Sequence, residues 1–257
     1  MTARVVRMLP WAVLPLSVWL TGCSQPAPTS TAASAEPSVA AQPATTSAAT
    51  SDVAAPAPLS PASTTADSAP LVEGRDYTVI KTPLTLEKPD QIEVRDFFWY
   101  GCGHCYNLKP QLSNWLASKP ADVHFVRTPA ALNPVWEQNA RAYYTVQGMG
   151  KMTEQLHSQL FDAIHQRQQP LFDQPALAAF YAQAGVDTAQ FNAAYNSFAV
   201  SAQVNQAKQA AQRAGLSGVP ALVVNGEYLI NSAAPEQMIR TLNGLVERER
   251  QAATAVQ

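Results

Sequence analysis

From Gln91 to Trp99 the chain (QIEVRDFFW) alternates as a β-strand does, with Ile92, Val94, Asp96 and Phe98 on one face and Glu93 and Arg95 on the other. Asp96 is therefore an acid on the apolar face. The period then lengthens: Leu108, Leu112, Trp115 and Leu116 recur at helical spacing and predict a helix over residues 106–118. Residues 121–127 read as a second strand. Asn133 before Pro134, a capping residue followed by proline at the first helical position, opens helical patterning that fills residues 134–214. Within that block, Asp187 and Gln190 predict a capped start for a helix over TAQFNAAYNSFAV. Two apolar runs ending at Val224 and Ile230 flank Asn225-Gly226, the signal of a hairpin with a two-residue turn. Pro235 opens a last helix expected to reach about residue 251.

The order is strand, a Cys-x-x-Cys pair at Cys102 and Cys105, helix, strand, long helical block, hairpin, helix. It fits an α/β thioredoxin fold with a helical domain inserted at about residues 130–200. The segment from Leu71 to Gln257 is long enough for one domain with a substantial core.

Composition changes the picture upstream of that segment. Residues 1–22 begin with Arg4 and Arg7, continue through an apolar run from Met8 to Leu20, and are too short and proline-broken for a mature membrane span. This predicts a signal peptide. Its end, Leu20-Thr21-Gly22-Cys23, resembles a bacterial lipobox, which implies lipidation of Cys23 after cleavage and a membrane partner reached through that cysteine. Stable anchoring follows from several acyl chains, at about 0.8 kcal/mol per buried methylene. From Ser24 to Pro70 the chain is almost wholly Ala, Ser, Thr and Pro, without an aromatic residue, Lys or Arg. Such a segment buries too little to offset its ordering entropy and reads as a disordered tether, about 40 Å end to end as a coil. The net charge of −2 becomes −4 once Arg4 and Arg7 are removed. With no basic patch, nucleic acid is not an expected partner.

The chemistry concentrates at Cys102-Gly103-His104-Cys105. Cys102 falls where a strand gives way to a helix, and Cys105 one turn inside. The unpaired N–H groups and partial positive charge of a helix N-terminus favour a thiolate, and His104 adds positive charge nearby. One sulfur is then the exposed nucleophile and the other the resolving thiol, and a stabilised reduced form makes the disulfide oxidising. A zinc site needs four ligands, and there is no second CxxC. His157 and His165 read as solvated helix positions and His124 as a strand residue with an ordinary hydrogen bond. A purely structural disulfide across so short a loop is a poor staple. The cysteines carry the electrons themselves, so no cofactor is expected. A tethered metal chaperone using Cys102, Cys105 and His104 is the alternative outside redox chemistry.

Residues 91–257 resemble the DsbA family of bacterial periplasmic thiol:disulfide oxidoreductases. DFFWYGCGHCYNL, FNAAYNSFAV and GVPALVVNGEY carry the resemblance. It implies a cis-proline loop at Val219-Pro220, whose main chain pairs with substrate, and a buried acid at Asp96 that shuttles protons for Cys105. It also implies cysteine-containing exported proteins as substrates and a quinone-linked membrane oxidase of the DsbB type for recharging. One position departs from the pattern: the dipeptide between the cysteines is Gly-His, as in protein disulfide isomerase, where the best-known members carry Pro-His. A reductase or isomerase of the same fold is the alternative within the class. Ser24 after Cys23 favours the outer over the inner membrane for the anchored protein.

Overall fold

A computed structural model describes residues 70–231 and 233–255. The expected signal peptide at 1–22, Cys23 and the expected tether up to residue 69 lie outside the described residues.

A five-stranded mixed sheet, in the order β1-β5-β4-β2-β3, forms the centre. It is built from β1 (Thr78–Val79), β2 (Ile92–Phe98), β3 (Val123–Pro129), β4 (Ala221–Val224) and β5 (Tyr228–Ile230). β2 and β3 run parallel with Val94 opposite Phe125, while β4 is antiparallel to β2 with Leu222 opposite Asp96. Helix α1 (Gly103–Ala117) follows β2, and α7 (Pro235–Ala255) closes the chain. Between β3 and β4 lie α2 (Pro134–Gly148), α3 (Glu154–His165), α4 (Gln174–Gln183), α5 (Thr188–Tyr195) and α6 (Phe198–Arg213). This is the thioredoxin fold with its helical insertion.

Each helix start in the insertion is chemically specified. Asn133 accepts from the N–H groups of Val135 and Trp136, and Thr153, Asp173, Asp187 and Ser197 each accept from the N–H three residues on. Ser197 also corrects an expectation. TAQFNAAYNSFAV is not one helix: α5 ends at Tyr195, and Ser197 caps α6, because a capping serine offers the backbone a second start.

β2 differs from the alternating reading in a way that matters. Val94 packs with Leu108, Leu112 and Trp115 of α1 and Met238 and Leu242 of α7, whereas Phe97 packs with Val204 and Ala207 of α6. Both faces are covered, so Glu93 is not a solvent-side residue but is buried. It is held there by Arg95 at 2.7 Å and by the backbone N–H of Glu87 at 2.7 Å. Charged residues at alternate positions here mark a buried ion pair rather than a wet face, as a buried charge requires. His157 corrects the sequence in the same way, since it is buried in α3 among Phe98, Tyr100 and Phe161.

The hairpin forms where Asn225-Gly226 predicts it, both residues with positive φ. The Glu227 N–H donates to the Val224 carbonyl, yet the ladder begins with Val224 opposite Tyr228, so the loop holds three residues, not two. The carbonyl of Glu227 turns away to accept from Ile80, which leads out of the edge strand β1, an element too short to show in the sequence pattern.

Candidate active site

β2 ends at Phe98, and the chain bends through Trp99, Tyr100 and Gly101 before α1 begins. Gly101 is required: a Cβ there would lie 2.3 Å from the Trp99 indole, which stacks on Trp136 at 4.7 Å. Cys102 is the N-cap of α1, with extended backbone, and its sulfur accepts from the Cys105 N–H at 3.2 Å. This start lies three residues before the one read from periodicity, because the apolar repeat begins only with the second turn. Cys102 is half-buried, Cys105 is buried, and both are free thiols.

The two sulfurs titrate apart. Hydrogen bonding from the Cys105 thiol, then from the backbone N–H groups of Cys105 and His104, outweighs partial desolvation and lowers Cys102 to about 6. Burial pushes Cys105 up, and the neighbouring Cys102 adds to it. His104 is exposed and contributes its charge to Cys102.

Across from α1, the Val219–Pro220 bond is cis. It brings the Val219 carbonyl within 3.3 Å of the Cys102 sulfur, whose thiol donates to it. The main chain that precedes β4 thus lies against the exposed sulfur.

Beneath Cys105 is a cavity of about 20 Å³ lined by Asp96, Lys109, Arg127, His157 and Pro220 among others. That is room for one water. Asp96 is buried, and desolvation raises its carboxyl to about 6 against the lowering effect of Arg127, whose Nε stands 3.8 Å away. Arg127 also pairs with Glu154 at the surface, and its Nε is buried with no hydrogen-bond partner among the described residues. Cys102, Cys105, His104, Asp96, Val219 and Pro220 are therefore brought together. Cys23 lies outside the described residues. Among those residues no group of three or more His, Cys, Asp or Glu side chains is arranged to hold a metal ion.

Three residues near the site escape a reading from pattern alone. Arg127 looks like an ordinary strand end, and His157 and His165 like a helix surface. His165 is not simply solvated either: it meets the carbonyl of Tyr100 at 2.8 Å and stacks on Tyr106. Only the packing of α3 against the bend before Cys102 reveals them.

The profile of the DSBA-like thioredoxin domain matches residues 93–243. The thiol:disulfide interchange protein DsbA of Pseudomonas aeruginosa is 38% identical over 183 residues, covering 70% of this chain and 86% of that protein. The chain belongs to the DsbA family. Another member, from Azotobacter vinelandii, is 37% identical over 182 residues, 70% of this chain and 85% of its own length. The crystal structure of P. aeruginosa DsbA superposes with a TM-score of 0.66 at 38% identity, covering 70% of this chain and 95% of that one. DsbA from Xylella fastidiosa superposes at 0.67 with 33% identity, covering 70% and 98%. As a DsbA-family protein the chain is a thiol:disulfide oxidoreductase, an enzyme that passes disulfide bonds to other thiols by dithiol–disulfide exchange.

Proposed function

We propose that Cys102 is the sulfur attacked by substrate, Cys105 the resolving thiol, and net oxidation of exported proteins in the periplasm the direction of the reaction. The observation that carries this reading is the separation of the two sulfurs: one half-exposed at a helix N-terminus and depressed to about 6, the other buried and raised. A substrate thiolate attacks Sγ of Cys102 in the Cys102–Cys105 disulfide. The S–S bond breaks, Cys105 leaves with the electron pair and takes a proton, and a mixed disulfide remains. The substrate's second thiolate attacks its own sulfur in that bond and releases Cys102 as a thiolate. The substrate has lost two electrons, which the enzyme holds as two cysteines.

The easier leaving group is the more acidic thiol, so release of Cys102 favours completion of oxidation. Asp96 near 6 is ionised at neutral pH for the most part and can exchange the Cys105 proton through a water in the cavity beneath it. His104 adds positive charge beside Cys102. The Val219 main chain at the cis-proline pairs with an extended substrate segment in the manner of strand addition. Recharging by a quinone-linked membrane oxidase, and anchoring through a lipidated Cys23 to a membrane, the outer one ahead of the inner, complete the proposal.

The test is trapping. Cys105→Ser should accumulate a mixed disulfide with a peptide supplied as its internal disulfide, the Cys102 thiolate attacking that bond and displacing one peptide thiolate, and Cys102→Ser should accumulate none. Trapping by the Cys102→Ser protein alone reverses the roles.

A further inference from the structure

His165, in the last turn of α3, touches both flanks of the redox loop. Its Nε2 lies 2.8 Å from the carbonyl oxygen of Tyr100, two residues before Cys102. Its ring stacks on Tyr106, the residue after Cys105, with centroids 4.7 Å apart and planes 18° from parallel. A carbonyl only accepts, so Nε2 carries the proton. The next residue, Gln166, donates to the Tyr106 hydroxyl at 2.6 Å, and His157, two turns earlier, meets the Tyr100 hydroxyl at 2.9 Å. One face of α3 therefore holds Tyr100 at both its backbone and its side chain, and Tyr106 at both ring and hydroxyl.

The Tyr100 ring is buried, and Trp99 stacks on Trp136 and donates to Asn139, but these contacts hold side chains and leave the turn of the Tyr100–Gly101 peptide to its own hydrogen bonds. β2 ends at Phe98, and Gly101 has no side chain with which to pack. Beyond that, the bend is tied by the Cys102 N–H to the Trp99 carbonyl at 3.0 Å. The position of the Cys102 sulfur against the Cys105 N–H (3.2 Å) and the Val219 carbonyl (3.3 Å) depends on how the Tyr100–Gly101 peptide is turned. Hydrogen bonds weaken steeply with misalignment, so a small rotation of that peptide removes stabilisation from the thiolate.

We propose that His165 is a positioning residue for the redox centre: by donating to the Tyr100 carbonyl and stacking on Tyr106, it orients the bend that presents Cys102, and so couples the inserted helical domain to the oxidising strength of the disulfide. The proposal rests on Cys102 being the acidic, attacking thiol.

Two variants, each compared with the parent, separate the donor from the ring. His165→Phe keeps a ring on Tyr106 and removes the donor; His165→Gln places an amide N–H near the former Nε2 and removes the ring. In the whole protein, thiolate absorbance against pH and equilibration with glutathione are read for each. His165→Phe should weaken Cys102 acidity and the oxidising equilibrium by about fivefold, the scale of one neutral hydrogen bond, and His165→Gln should stay nearer the parent. A parent-like His165→Phe protein overturns the proposal, and so does a His165→Gln protein as altered as the Phe variant. Should the Phe variant not fold, nitrogen NMR of the unaltered protein decides: a neutral ring protonated at Nδ1 alone has no bond to Tyr100, and the proposal fails. A parent in which Cys105 is the more acidic thiol overturns the assignment of the cysteines instead, and is seen before any His165 variant is compared.

Discussion

Cys102 and Cys105 are the same residue type, three positions apart in one helix, and their environments drive them in opposite directions. The difference is one turn of helix: the N-cap sulfur faces unpaired N–H groups, while the sulfur inside is covered, its burial and its partner outweighing a backbone hydrogen bond at Trp99. This has a consequence for the reduction potential. Below about pH 6 the reduced enzyme carries protons on both sulfurs; above it Cys102 has lost its proton and Cys105, with its raised pKa, has not. Reduction thus takes up two protons with two electrons at low pH and one proton at higher pH. The potential should fall by about 59 mV per pH unit below the break and about 30 mV above it, the values for two and one protons in a two-electron couple. Equilibration with glutathione between pH 5 and pH 8 measures it. A single steep slope through that range would mean that Cys102 remains a thiol at neutral pH.

At the scale of elements, the turn between β4 and β5 is the clearest case of sequence dictating structure. Gly226 has φ of 71°, and a Cβ built on it would lie 2.6 Å from the Leu84 carbonyl oxygen, while the Leu84 N–H donates to the Gly226 carbonyl at 2.9 Å. Backbone stands against backbone there, so no side chain can yield. Gly226→Ala should destabilise the protein by about 2 kcal/mol or more, from left-handed strain and the displaced segment together. Urea unfolding measures that loss, and the redox equilibrium should not change, since the turn is at the end of β4 remote from Pro220. A variant as stable as the parent would show that residues 84–86 move aside freely. The same turn shows where a sequence stops being legible. Asn225-Gly226 announces itself locally, as do the caps of the helices and the cysteine pair between strand and helix. The third loop residue, Glu227, does not, because its place depends on Ile80, distant in sequence. Glu93, His157 and His165 were hidden for a related reason: periodicity reports that a face exists, not that a later helix will cover it. Asp96 could be read because its neighbours on the same face, Val94 and Phe98, are apolar; Arg127, its ion-pair partner, belongs to another strand and could not.

For the molecule as a whole, the described chain begins far from its chemistry. Leu71 packs on Gly244 of α7, next to Asn243, which accepts from the Trp115 indole N–H near the end of α1. Cys102 caps the other end of that helix, and thirteen residues at 1.5 Å each put about 20 Å between them. Leu71 therefore lies toward the end of α1 opposite to the one that Cys102 caps. If Cys23 bears the lipid, as the Leu20-Thr21-Gly22-Cys23 segment suggests, anchoring and exchange are separable functions of one chain. A tether of about 40 Å would then give the domain room to turn toward clients and toward the membrane oxidase proposed to recharge it. Cys23→Ser should move the protein from the membrane to the soluble periplasmic fraction and leave oxidation of a dithiol peptide by the purified protein at the parent rate. Fractionation and a peptide-oxidation assay read the two outcomes independently. A variant that stays with the membrane removes the lipid from the account, and one that is soluble but slow shows that the anchor segment reaches the redox centre after all.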